Sequence, residues 1–290
     1  MPYLALAFFL CAGLCLSSLD ASAKYLVREH SLFVVLWLRY AGQMAIVTPF
    51  AWRNAGAGFW RTRRLGLQLL RSAALLAATA LFFAALRFLP LAEASAITFL
   101  APIIIVVMSH LWLHERPNRA RWIASMSGFI GILIVLRPGS AVFHPATLML
   151  VGTAFFNALY QVLTRKLVDE SVHTTLFYSA LVGAVGLTLA LPWAGSAELP
   201  DLRTGLLFLL PGLFAGLGHW FVISAYLRAP ASLLTPFTYL QMIWATLYGY
   251  LIFGQLPDRW SSLGMAIVLA SGLLLALQEQ RRSRSRLSLR

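Results

Sequence analysis

The sequence predicts an all-α membrane protein of ten transmembrane helices, arranged as two five-helix repeats of inverted topology. Three observations carry this. Of the 290 residues, 60% are hydrophobic and only 11% are charged, against about 25% charged in a soluble domain. The apolar residues fall in runs of about twenty, the length that crosses a hydrocarbon core as a helix. The chain also matches itself at an offset of about 140 residues, roughly the length of five such spans with their loops.

Taken in order, the first run, 3–23, lacks a basic n-region and a small-residue cleavage site after it, so it is expected to be retained as a span. Cys11 and Cys15 lie four apart on one face of it and are expected to pack as small hydrophobes. The second and third spans are 32–51 and 66–86, the latter closed by Leu89-Pro90. The fourth and fifth are 91–113 and 120–136, ended by Arg137-Pro138-Gly139. The sixth to eighth, 146–165, 174–193 and 204–226, run to Ala229-Pro230. The ninth, 231–253, stops before Leu256-Pro257-Asp258, and the tenth is 260–278.

An even number of spans puts both termini on one side. If that side is cytoplasmic, the inner segments hold Arg53, Arg61, Arg63, Arg64, Arg116, Arg119, Arg121, Arg165, Lys166, Arg228 and five tail arginines, fifteen basic residues in all. The outer segments hold Lys24, Arg28, Arg87, Arg137, Arg203 and Arg259, which is six. The positive-inside rule therefore predicts cytoplasmic termini. The net charge of +13 becomes an orientation signal, and the Arg-Ser tail an anchor against anionic membrane lipid. No nucleic-acid partner is expected.

The self-match rests on Pro90/Pro230, Thr98/Thr238, Pro117/Pro257 and Arg119/Arg259 at one offset, and on Glu29/Glu170 and Trp52/Trp193 one residue further along. It divides the chain into a first repeat, 1–139, a second, 144–278, and a basic cytoplasmic tail, 279–290. Because five is odd, the second copy enters the bilayer from the opposite face, an arrangement found in transporters that alternate access about a midplane site.

Leu89-Pro-Leu-Ala-Glu-Ala-Ser-Ala96, Ala101-Pro102, Leu113-His-Glu115-Arg-Pro117, Trp122 and Arg137-Pro-Gly139 together resemble the EamA domain of the drug/metabolite transporter superfamily. The resemblance covers nearly the whole chain. It implies an inner-membrane secondary transporter with cytoplasmic termini whose path is lined by spans one, three, four, six, eight and nine, and Leu89–Ala96 is similar to members that carry riboflavin or S-adenosylmethionine. The second copy departs from the pattern, with Gln255 opposite Glu115 and Met242 opposite Pro102.

The polar minority inside the spans marks the expected substrate site. Arg39 lies about 12 Å into the second span, at 1.5 Å per residue, where an arginine needs a partner or a wet cavity. Asp20 and Glu93 are the nearest acids by depth. The group is either an anion-binding or proton-coupled element, or a structural ion pair joining spans one, two and four. Asn157, Tyr160, Gln161, His219, Trp220, Tyr239, Gln241 and Trp244 add amides and deep aromatics, with Phe83 and Phe99 as apolar wall. Trp37 is likewise deep. Such a set suits stacking on a planar organic solute and hydrogen bonding to its edge.

Pro102 and Pro236 are expected to kink the fourth and ninth spans. Ala73, Ala77, Ala80 and Ala84 on the third span, and Gly212 and Gly216 on the eighth, form small-residue stripes that let helices approach closely. His110 and His114 have a metal-compatible spacing but only Glu115 as a neighbouring third ligand, so no metal site is expected. No Walker A, G-x-S-x-G or His-Glu-x-x-His pattern is present. The expectation is a cofactor-free carrier of a small-molecule metabolite, with proton coupling motivated by the buried acids. The rival is an intramembrane enzyme acting on a lipid-soluble substrate through Asp20, Glu93, Glu115 and the histidines.

Overall fold

A computed structural model describes residues 2–112, 119–137, 143–167, 169–193, 202–226 and 240–287. Among them are α1 (Pro2–Glu29), α2 (Leu32–Ala55), α3 (Leu65–Ala85), α4 (Leu91–Thr98), α5 (Ala101–Trp112) and α6 (Arg119–Leu136), then α7 (Thr147–Lys166), α8 (Val172–Ala190), α9 (Leu202–Tyr226), α10 (Leu240–Phe253) and α11 (Arg259–Leu287). The described residues contain no strand. Among the described residues six stretches are long and apolar enough to cross a membrane, at Tyr3–Glu29, Leu32–Gly58, Leu65–Ala85, Thr147–Thr164, Val172–Trp193 and Gly205–Val222. Four shorter apolar helical stretches follow the remaining runs, at Leu91–Ile105, Trp122–Leu136, Leu240–Phe253 and Arg259–Leu274. The chain is a multi-pass, all-helical membrane protein.

Two boundaries differ from expectation for local reasons. The first helix runs on to Glu29 and carries Lys24 into the packed interior, where it is 1% exposed. Lys24 Nζ donates to the Leu89 carbonyl and sits 5.2 Å from the Phe253 ring centroid. A long stem can bury while its ammonium reaches a helix-end carbonyl, so Lys24 is a helix residue and not an outer-loop charge. The fourth span is broken rather than kinked. Pro102 has no N–H for the Thr98 carbonyl, α4 ends there, and tight turns replace the helix, with Leu100 N donating to Ile97 O (3.0 Å) and Ile103 N to Leu100 O (3.1 Å). Pro236, with Pro230, Glu115, His114 and Pro117, lies outside the described residues.

Helices from the two halves of the chain pack on one another. α1 lies along α9, α3 along α7, α6 along α11, and α2 between α8 and α9, while α10 packs against α1 and α4 and α5 against α7. Small residues permit the tightest of these crossings. A Cβ added to Gly212 on α9 would stand 2.9 Å from Gly42 Cα and 3.2 Å from Gln43 N on α2, and Gly216 meets Ile46. Backbone cannot swing aside as a side chain can, so Gly212→Leu is expected to force α2 and α9 apart, at an overpacking cost of about 1–3 kcal/mol. Thermal melting in detergent, compared with wild type, reads this directly; an unchanged midpoint would mean the crossing is looser than drawn.

The alanine stripe on α3 faces elsewhere. Ala73 is exposed and Ala77, Ala80 and Ala84 are only half-buried, whereas Arg71, Ser72, Ala74, Ala78 and Ala85 are buried. The packed face is set by the polar side chains that α3 sends to α7 and α8, one register away from the stripe.

Candidate functional site

Among the described residues two arginines are buried within the bundle, and their surroundings differ. Arg71 on α3 is 3% exposed and well tied. Its Nε donates to Thr164 Oγ1 (2.6 Å), Nη1 to Ser179 Oγ (2.7 Å) and Thr175 O (3.2 Å), and Nη2 to the Tyr160 hydroxyl (2.8 Å). The guanidinium also lies over the Tyr160 ring at 4.3 Å. This network joins α3 to α7 and α8, and Tyr160 is one of its acceptors.

Arg39 on α2 is 2% exposed, with its guanidinium 4.0 Å from the Tyr40 ring centroid. Its Nε and Nη1 have no hydrogen-bond partner among the described residues. One turn on, Gln43 is fully buried with both Nε2 and Oε1 unpartnered. Buried polar atoms are nearly always paired in native proteins, so two neighbours with four unmet groups mark a site built for something else. Gln43 escaped the sequence reading, which sought deep amides only in the second half of the chain. Its spacing from Arg39, four residues on one helix face, was the available signal.

Around this pair the bundle gathers side chains from three other helices. Asp20 on α1 lies within the electrostatic reach of Arg39 and close to the Gln241 side chain of α10. The Ser17 hydroxyl approaches the Gln241 carbonyl at 3.4 Å, and Ser18 Oγ meets the Tyr248 hydroxyl at 2.7 Å. Trp244, one turn along α10, packs 3.8 Å from where a Gly13 Cβ would stand, and its buried indole N–H has no partner among the described residues. His219 on α9 lies within the electrostatic reach of both Arg39 and Arg71.

Other expected residues fall elsewhere. Glu93 is not the partner of Arg39: its Oε1 accepts from Ser261 Oγ at 2.9 Å, and its charge faces Lys24 and Arg137. Phe83 is 1% exposed and packed into the hydrophobic core. Phe99 stands at the break between α4 and α5. Asn157 is half-buried and Gln161 exposed on α7. Trp220 is 37% exposed and packs on Phe8 and Phe221, at 5.9 and 5.1 Å between ring centroids. Trp37 donates to Thr188 Oγ1 at 2.8 Å. Tyr239 lies outside the described residues. Among the described residues no three His, Cys, Asp or Glu side chains come together as a metal site.

Polar clusters close both ends of the bundle. At one end Arg64 reaches Asp169 at 3.8 Å and donates to the Lys166 carbonyl at 2.7 Å, while Glu170 accepts from Arg63 N at 3.1 Å. At the other, Arg137 holds a left-handed backbone (φ 44°) after α6 and pairs with Asp258, which also caps α11 by accepting from Ser261 N at 2.8 Å. The Arg137 hydrogen bond, then the Ser261 amide, holds the Asp258 carboxyl well below its usual 3.8. A carboxyl depressed in the folded state stabilises fully above its ordinary range and loses that contribution only as pH falls through its folded value. Asp258→Ala is therefore expected to lower stability by about 1 kcal/mol, equally from pH 5 to pH 8; a difference that fades within that window would contradict the pairing.

Comparison with known proteins agrees with this architecture. The profile of the EamA-like transporter family matches residues 3–137 and again 144–277. A riboflavin transporter of Vibrio cholerae is 31% identical over 96% of this chain and 94% of its own length. An S-adenosylmethionine uptake transporter of Rickettsia felis is 28% identical over 95% and 93%, and a riboflavin transporter of Rhizobium johnstonii 30% identical over 91% and 98%. One protein of known crystal structure superposes with a TM-score of 0.71 at 19% identity, over 97% of this chain and 99% of that one, and shares the fold.

Proposed function

The chain belongs to the EamA-like transporter family, and from that premise we propose that it is a secondary carrier of a small, planar, nucleoside-like metabolite of the riboflavin or S-adenosylmethionine kind. It works by alternating access between two inverted five-helix repeats in the inner membrane, with both termini cytoplasmic. The observation that carries the proposal is the unmet polar pair of Arg39 and Gln43, buried on α2, with Asp20 from the first half of the chain and His219 from the second within electrostatic reach of Arg39.

The packing supports the repeat reading. Exchanging each of the first five spans for its counterpart in the second five turns the α1–α9 contact into α7–α3, α2–α9 into α8–α3, and α1–α10 into α7 with the α4–α5 pair, while α2–α8, α6–α11 and α4–α10 map onto themselves. This is the pattern a pseudo-two-fold axis in the membrane plane produces. The family profile, matching twice, supports it independently. With Lys24 moved into α1, fifteen inner basic residues stand against five outer ones, which strengthens the orientation.

A solute that binds the folded protein raises its melting temperature. Riboflavin or S-adenosylmethionine is expected to do so for the purified protein; if neither does, this solute class is wrong. Asp20, the carboxylate beside Arg39, is the candidate for proton coupling. Uptake is then expected to rise with an imposed pH gradient at fixed voltage and to lose that response in Asp20→Asn; uptake indifferent to the gradient would remove the coupling.

A further inference from the structure

Arg39 Nε and Nη1 and Gln43 Nε2 and Oε1 are the four buried groups left unsatisfied on one face of α2. The contacts of their neighbours fix where that face points. Gly42 is pressed against Gly212 of α9, and Tyr40 packs on Gly183 of α8 and donates to Thr79 Oγ1 of α3 at 3.2 Å. The arc between those contacts, which holds Arg39 and Gln43, looks into the bundle, toward Asp20 of α1. The unmet groups amount to three donors and one acceptor, and exchanging the Gln43 amide atoms leaves that total unchanged.

We propose that Arg39 and Gln43 are the specificity element of the carrier and take the imide edge of a neutral planar solute, a ring N–H flanked by two carbonyls. Gln43 Oε1 accepts the ring N–H, Gln43 Nε2 donates to one carbonyl, and one N–H of the Arg39 guanidinium donates to the other. Both Gln43 groups and one of the two Arg39 donors are then paired. A carboxylate offers only acceptors and would leave Gln43 Oε1 empty. An α-amino acid head would bring its ammonium onto Gln43, one helical turn from the Arg39 guanidinium, where like charges repel. Asp20 and Arg39 already balance each other, so a solute of net positive charge finds no free counter-charge. A site made to hydrogen-bond an N–H rejects an analogue without it by large factors, because its buried acceptor is left unpaired.

The inference rests on the transport reading, and the test separates the two. Full-length protein in lipid nanodiscs is titrated with riboflavin, its N3-methyl derivative and S-adenosylmethionine, with uptake of each measured in proteoliposomes. Riboflavin should bind at least about tenfold more tightly than the N3-methyl compound. Gln43→Leu should weaken riboflavin about tenfold or more and shrink that preference to less than about twofold. The methylated solute tests the wild-type protein, so the inference does not depend on the variant folding. Equal binding of the two flavins by wild type, or a full preference retained in Gln43→Leu, overturns the imide assignment. Binding and uptake of S-adenosylmethionine alone overturns it while leaving the carrier reading standing. If no solute is bound or taken up, both fall.

Discussion

Replacing Arg39 with leucine is expected to cut solute uptake by about 100-fold or more and to leave the protein folded. Charge-assisted hydrogen bonds are worth about 1.5–3 kcal/mol each, and Arg39 holds two donors that nothing in the described bundle uses. Removing them orphans no hydrogen-bond partner. Removing one member of a buried charge pair costs stability whereas replacing both is often neutral, so Arg39→Leu paired with Asp20→Asn keeps the site uncharged and separates lost uptake from lost folding. Arg71→Leu is the contrasting case. It strips the donors from Thr164, Thr175, Ser179 and Tyr160 at once and should lower the melting temperature and the yield of folded protein. If Arg39→Leu were the variant that failed to fold and Arg71→Leu the one that folded without transporting, the assignments of the two arginines would have to be exchanged.

The second large effect concerns motion. Arg64 and Asp169 join the α2–α3 connection to the α7–α8 connection, one from each half, and both are open to reagent at 49% and 79% exposure. With Cys11 and Cys15, the two native cysteines and both free, replaced by alanine, Arg64→Cys and Asp169→Cys can be bridged by a short, reducible bifunctional thiol reagent. Bridging should bring uptake below about a tenth of its rate, because the proposed alternating access has the halves rock against each other in each cycle. Reduction should restore it. Undiminished turnover after complete bridging would mean that this end does not open.

Much of the fold was legible because bilayer thickness imposes a length on every apolar run, and proline and glycine punctuate the breaks. The misreadings have local causes. Lys24 looks like a loop charge until its stem is packed and its ammonium meets the Leu89 carbonyl. The α3 alanines suggest a packing face, but small residues recur so often there that composition cannot tell one face from its neighbour, and the Arg71 network decides. The candidate site was legible in part. Arg39 and Asp20 stood out by depth and lie within electrostatic reach of each other, yet pairing Glu93 with Arg39 assumed that equal depth means proximity, whereas Glu93 meets Ser261 on α11. Gln43 was missed because an uncharged amide in a span usually bonds to a neighbouring helix, and only the structure reveals that this one does not.

A carrier is defined by intact solute crossing the membrane. Purified protein reconstituted into liposomes, given radiolabelled riboflavin or S-adenosylmethionine outside, should accumulate one of them in the lumen in chemically unaltered form, with Arg39→Leu vesicles at the level of empty liposomes. Lumenal label recovered as a modified product, or uptake no greater than in protein-free vesicles for both solutes, would contradict the carrier reading.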